Sequence, residues 1–251
     1  MGKLIKYEWR KQRTTRVVIL ISLLVGLLAF LWGMLFKNDV FAAMVLLVMF
    51  SVSLLVLLYT GIESILIFNR DLRTKQSYML WMVPRSVWEI VGAKFISAIL
   101  QMLFSFAVFF AAGCLCGGAL LYYSDGMKSV IEMAQIIVKN FFEEGNLIDI
   151  LWFVAAFVIA WIEVIMIGFL AVILSRTVLL HSKFAGLFSL LLFFVINWIV
   201  ERGYSLIHAI PLFKDAGNLG IWNIWDCVYY LLISAILFLA TGWLADRKLS
   251  V

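Results

Sequence analysis

The stretch Val17–Phe36, VVILISLLVGLLAFLWGMLF, runs for twenty residues without one charge. A helix rises about 1.5 Å per residue, so this stretch reaches about 30 Å, the thickness of a bilayer's hydrocarbon core. Five further apolar spans follow, at Phe41–Phe68, Phe95–Tyr122, Ile150–Leu174, Phe184–Val200 and Ile224–Ala245. Inside lipid every backbone N–H and C=O must find its partner within its own segment, which a helix achieves and an irregular chain does not. The pattern predicts an all-α membrane protein with six transmembrane helices. The first span lacks a small-residue cleavage site and reads as an anchor.

Outward from the spans, the charges follow a rule. Fifteen of the twenty Lys and Arg residues fall on alternate sides: Lys3, Lys6, Arg10, Lys11, Arg13 and Arg16 precede span one, Arg70, Arg73, Lys75, Arg85 and Lys94 lie between spans two and three, and Arg176, Lys183, Arg247 and Lys248 complete the set. The other side keeps only Lys37, Lys128, Lys139, Arg202 and Lys214, with most of the acids. By the positive-inside rule the first set is cytoplasmic, so both termini are expected there.

Composition agrees with the spans. Hydrophobic residues make up 65% of the chain and mean hydropathy is +1.07, against about 45–50% apolar residues in soluble domains. The net charge of +5 is accounted for by these topogenic residues, and no basic patch interleaved with stacking aromatics is left for nucleic acid. Cys114, Cys116 and Cys227 sit in or beside apolar spans and read as small hydrophobes. With no linker or repeat, and loops too short for a second core, residues 1–251 read as a single transmembrane domain.

Four segments lie outside the spans. Residues 1–16 place Leu4, Ile5, Tyr7 and Trp9 on one arc and Lys6, Arg10 and Arg13 opposite, the pattern of an interfacial helix; Glu8, Lys11 and Gln12 interrupt that arc, and a basic tail without fixed structure is the alternative. Residues 69–94 form a cytoplasmic loop with a polar start, an apolar aromatic run from Tyr78 to Val83, and Pro84 as a stop. Ser86 followed by Glu89 has capping-box spacing. An exposed loop has little reason to carry so many large apolar side chains unless they rest on lipid, on the bundle or on a partner. Residues 124–149 repeat apolar positions at intervals of three and four from Met127 to Phe142, predicting an amphipathic outer helix that serves as a cargo-receiving lid or as a structural brace. Residues 201–223 carry Gly203, Pro211, Gly217 and Gly220 among apolar side chains, so they are expected to break any continuous span.

These features together resemble the membrane permeases of ABC-2 type transporters, in the branch of bacterial exporters of peptides and antibiotics and their immunity systems. The residues that carry the resemblance are Phe68-Asn69-Arg70-Asp71-Leu72, Leu80 through Pro84-Arg85-Ser86, and Lys94, with Lys75-Gln76-Ser77 replacing a frequent Gly-Thr pair. The resemblance implies a coupling helix in the 69–94 loop, contacted through Arg70, Asp71, Arg73, Tyr78, Met79, Trp81 and Pro84 by a cytoplasmic ABC ATPase in two copies. It also implies a re-entrant outer segment before span six, pairing with a second copy or a related permease, and residence in the bacterial cell membrane. No G-x-x-x-x-G-K-[ST] run occurs, so the chain itself is expected to bind no cofactor; ATP and Mg would belong to the partner ATPase.

Within the spans, Glu63 and Glu163 are the costly groups, and Gln101, Ser105 and Asn197 are milder polar ones. Glu63, Gln101, Glu163 and Asn197 are the candidates for a substrate path; each has the alternative role of an interhelical hydrogen-bonding group. Gly113 and Gly117 make a small-xxx-small pair. An enzyme is not expected: His181 and His208 fall on opposite faces, Glu143-Glu144 lacks histidines at helical spacing, and no Ser–His pairing is apparent. The phenylalanine- and leucine-rich spans favour a hydrophobic or amphipathic cargo such as an antimicrobial peptide, a lipid or a drug. The rival functions are an ion-coupled secondary transporter, argued from Glu163, and a non-transporting immunity or receptor protein.

Overall fold

A computed structural model of the chain describes residues 1–73, 86–142, 146–178, 185–210, 218–219 and 222–249. Among them are eight helices: α1 (Gly2–Lys11), α2 (Arg13–Leu35), α3 (Asp39–Arg73), α4 (Val87–Asp125), α5 (Met127–Phe142), α6 (Asn146–Val178), α7 (Ala185–His208) and α8 (Ile224–Leu249). A two-residue antiparallel ladder, Asn218–Leu219 with Trp222–Asn223, separates the last two. Six helices, α2, α3, α4, α6, α7 and α8, are long and apolar enough to cross a membrane. The expected six-span, all-helical architecture is thus present.

Several boundaries differ from the expected ones, each for a local reason. The N-terminal segment, expected as one helix over residues 1–16, is broken at Gln12, and Arg13 already begins α2. In α1 it is Tyr7 that is exposed while Glu8 is buried, its carboxylate taking the Lys11 ammonium at 3.1 Å. Between α2 and α3, Lys37 takes φ 52 and the Asn38 side chain accepts the Phe41 N–H at 3.1 Å, capping α3. Ser86 caps α4 as its spacing indicates, its hydroxyl accepting the Glu89 N–H at 3.3 Å. Gly126 turns the chain at φ +79, so only Met127–Phe142 of the 124–149 segment forms the extra helix. Its Ile131 and Val138 are exposed. The helix of span five, expected to end at Val200, continues to His208. Gly203, expected to help break the span, is carried within the helix at a cost of about 1 kcal/mol, and Pro211 lies beyond its end. Of the expected re-entrant segment over residues 201–223, residues 201–208 belong to this helix, and 211–217 and 220–221 lie outside the described residues.

The chain divides into two compact units: Met1–Ile5, Gly61–Ala98 and Ile148–Val251 form one, Lys6–Thr60 and Ile99–Leu147 the other. In the first, α6 is the central element. Ile165, Met166, Ile167 and Phe169 through Ile173 are all buried, packed on Phe68 of α3, Val87, Val91 and Ala98 of α4, Val200 of α7 and Tyr230, Leu237 and Ala245 of α8. Gly242 of α8 lies where a Cβ would collide with the Trp88 ring of α4, so that crossing depends on the missing side chain. In the second unit Phe30, Met34, Ala42 and Cys116 form a smaller core. Lipid tails are as apolar as leucine, so these contacts hold the helices through close packing and polar links rather than by escape from water.

Candidate functional site

The root of the 69–94 connection gathers polar side chains of the first unit. Asp71, near the end of α3, accepts a hydrogen bond and ion pair from the Lys94 ammonium of α4. Both side chains are almost sealed, at 8% and 4% exposure, and the ammonium lies 5.9 Å from the Phe68 ring. Two turns of helix beyond the Ser86 cap place Lys94 opposite Asp71, so the two arms of the hairpin are tied where they leave the apolar layer. Beside them, Arg176 at the end of α6 donates from Nε and Nη2 to Asn69 Oδ1, at 3.2 and 2.6 Å. Of the other expected coupling residues, Arg70 is exposed and Arg73 is the last residue of α3. Tyr78, Met79, Trp81 and Pro84 lie outside the described residues.

Next to Asn69 opens an apolar groove of about 430 Å³ between α3, α6 and α7. Ile62, Ile65 and Leu66 form one wall, Ala171 and Val172 the floor, and Leu190, Phe193 and Phe194 the other wall, with Asn69, Gly186 and Ser189 also lining it. A side chain at Gly186 would meet nothing nearer than Asn69 Nδ2 at 4.0 Å. The Ser189 hydroxyl donates to the Gly186 carbonyl at 2.7 Å, leaving the surface largely apolar. Sequence reading passed over this groove because its walls come from three helices far apart in the chain.

The four candidates for a substrate path lie on four different helices, α3, α4, α6 and α7. Gln101 belongs to the second unit, fully buried, its Oε1 accepting from Arg16 Nη1 at 3.0 Å. That same guanidinium donates to the Trp9 carbonyl at 2.8 Å and lies 4.1 Å from the Trp9 ring. Gln101 therefore ties the start of α2 and the end of α1 to α4. Glu63 is buried on α3 and Asn197 is half-buried on α7, both in the first unit.

Glu163 is buried in the middle of α6, and its Oε1 makes no hydrogen bond among the described residues. It lies within electrostatic reach of Glu201, Tyr229 and Tyr230. Those residues belong to an aromatic and acidic cluster where α7 ends and α8 begins. Tyr204 donates to Asp226 at 2.9 Å, Tyr229 to the Val200 carbonyl at 2.7 Å, and Tyr230 to Glu201 at 3.4 Å. The Tyr204 ring stacks near-parallel on Tyr230 and on His208, with centroids 5.5 and 5.2 Å apart. Amphipathic rings with one wet end suit the interface level of a bilayer, and here they latch α7 to α8. Sequence reading singled out Glu163 by its cost in lipid but missed the tyrosines, whose only signal was the adjacent Tyr229-Tyr230 pair. No group of His, Cys, Asp and Glu able to hold a metal ion occurs among the described residues.

Comparison of the chain with protein-family models, with curated proteins and with solved structures finds no match.

Proposed function

We propose that the chain is the membrane-spanning permease subunit of an ATP-driven exporter whose ATPase is a separate polypeptide. The observation that carries this reading is the tied hairpin at the root of the 69–94 connection. Helices α3 and α4 have 35 and 39 residues, about 52 and 58 Å at the usual helical rise, against a hydrocarbon core of about 30 Å. Each is longer than a crossing requires, and the buried Asp71–Lys94 pair joins them beside the connection. A push on the aromatic-rich connection is therefore delivered to both helices together, as a rigid-body displacement rather than a local deformation.

In this reading the connection and both termini face the cytoplasm, two ATPase copies grip the connection from Arg73 to Trp81, beyond the sealed Asp71, and a second permease completes the path. The chain supplies no catalysis and holds no nucleotide. The cargo is hydrophobic or amphipathic, a peptide, a lipid or a drug, because the spans offer apolar surface and few charges. The resemblance noted in the sequence adds the direction, export from the cell or expulsion from the membrane.

The decisive experiment is copurification of an ABC ATPase from the native membrane with chains carrying Tyr78→Glu or Trp81→Glu. Both variants should insert normally and lose the ATPase; unchanged copurification refutes the reading. A second reading, an ion-coupled transporter, draws on buried Glu163. Glu163→Gln distinguishes the two: ion coupling requires that it abolish transport, whereas a motor-driven exporter retains its ATP-dependent export.

A further inference from the structure

We propose that the groove between α3, α6 and α7 is a binding site for an anionic phospholipid of the surrounding bilayer. One acyl chain lies in the groove and the lipid phosphate sits at Arg176. The groove is graded along its length. Asn69 lies four residues from the end of α3 and holds the guanidinium of Arg176, two residues from the end of α6. Toward mid-membrane the lining becomes wholly apolar, ending at Ile62 and Phe194. From Asn69 back to Ile62 is about 10 Å at the usual helical rise, so an amphiphile with its head at Arg176 places its chain where the groove is apolar.

Three features select the occupant. The lining is largely apolar, and the groove's volume of about 430 Å³ is in the range of sites that enclose small ligands, roughly 300–1,000 Å³. The rim residues Leu66, Leu190 and Phe194 are exposed, so within a bilayer the groove opens sideways to acyl chains. The polar end presents a half-buried guanidinium with Arg70 exposed on the adjoining turn of α3. Guanidinium geometry suits a phosphate, and an anionic lipid gains over a neutral one there. Gly186 keeps the head end clear, since a side chain at that position would project into the groove.

The site is independent of the motor reading and is tested without nucleotide. Full-length protein is placed in nanodiscs of phosphatidylcholine doped with phosphatidylglycerol whose acyl chain ends in a diazirine, and cross-linked peptides are mapped by mass spectrometry. Cross-links should concentrate in residues 60–70, 165–176 and 185–195. The same probe with a phosphatidylcholine head should yield about five-fold less, the factor expected for one interfacial arginine. Gly186→Leu and Ser189→Leu, which fill the groove from the head end, should each remove the cross-links, with an unchanged unfolding midpoint showing that the bundle is intact. Arg176→Gln should bring the two headgroups to equal yield. Equal yields for both headgroups in the unaltered chain, or cross-links spread evenly over all six spanning helices, would each overturn the proposal.

Discussion

Removing the Lys94 ammonium while leaving Asp71 in place should be among the most damaging single changes in the first unit. With side-chain exposures of 4% and 8%, neither partner can turn to water when the other is lost. Breaking a buried ion pair in this way costs about 3–5 kcal/mol. An independent bound agrees: a carboxyl that has lost its ammonium can always escape by taking a proton, and for an ordinary aspartate at pH 7 that costs about 4 kcal/mol. Lys94→Met should therefore destabilise the protein by about 3–4 kcal/mol. Asp71→Leu, which takes the carboxylate from the buried ammonium, should cost a similar amount. The double variant, with two apolar side chains facing each other, should recover most of the loss, because replacing a buried pair by packed apolar groups is often neutral or stabilising. The assay is unfolding by sodium dodecyl sulphate from bicelles, followed by far-ultraviolet circular dichroism, for the four members of the cycle. A Lys94→Met penalty below about 1 kcal/mol, the range of an exposed pair, or additive penalties in the double variant, would refute the buried-clamp argument.

Further expectations concern the other contacts. Gly242→Ala should cost about 1–3 kcal/mol through collision with the rigid Trp88 indole, and Trp88→Leu should relieve it; the same unfolding titration checks both. Arg16→Lys should fail to restore what Arg16→Met loses, because the link from the Trp9 carbonyl and ring to Gln101 needs a planar fork of donors. Proteolysis in α1 should report both variants as equally released. Tyr204→Phe should cost about 1–3 kcal/mol by leaving nearly buried Asp226 without that donor, and Asp226→Leu in the same chain should recover part of it.

The membrane-spanning architecture was legible in the sequence because lipid leaves a segment so few options: an apolar run of about 20 residues must become a helix. The Ser86 cap was legible for a similar reason, since donor and acceptor lie within one turn. Helix ends were harder to place. Backbone hydrogen bonding carries a helix past the edge of its apolar run, so α3 reaches Arg73 and α7 reaches His208, while polarity alone suggests stopping at Phe68 and Val200. Lys94 and Asp71 were both noticed as polar residues bounding the loop, yet nothing in their spacing of 23 residues announces a pair. Arg176 and Asn69, 107 residues apart, are further still from any local signal.

What the sequence determined by itself was the number of crossings and the cost of each polar group placed within them. What only the tertiary structure decided was which helix lies at the centre of the first unit. Helix α3 is more apolar than α6 over its best window, but 6% of that window is buried against 56% for α6. In water such burial would leave its mark on composition, because an exposed face must be polar. In a bilayer, lipid and protein interior are equally apolar, so a helix facing acyl chains and a helix facing its neighbours can be written with the same residues.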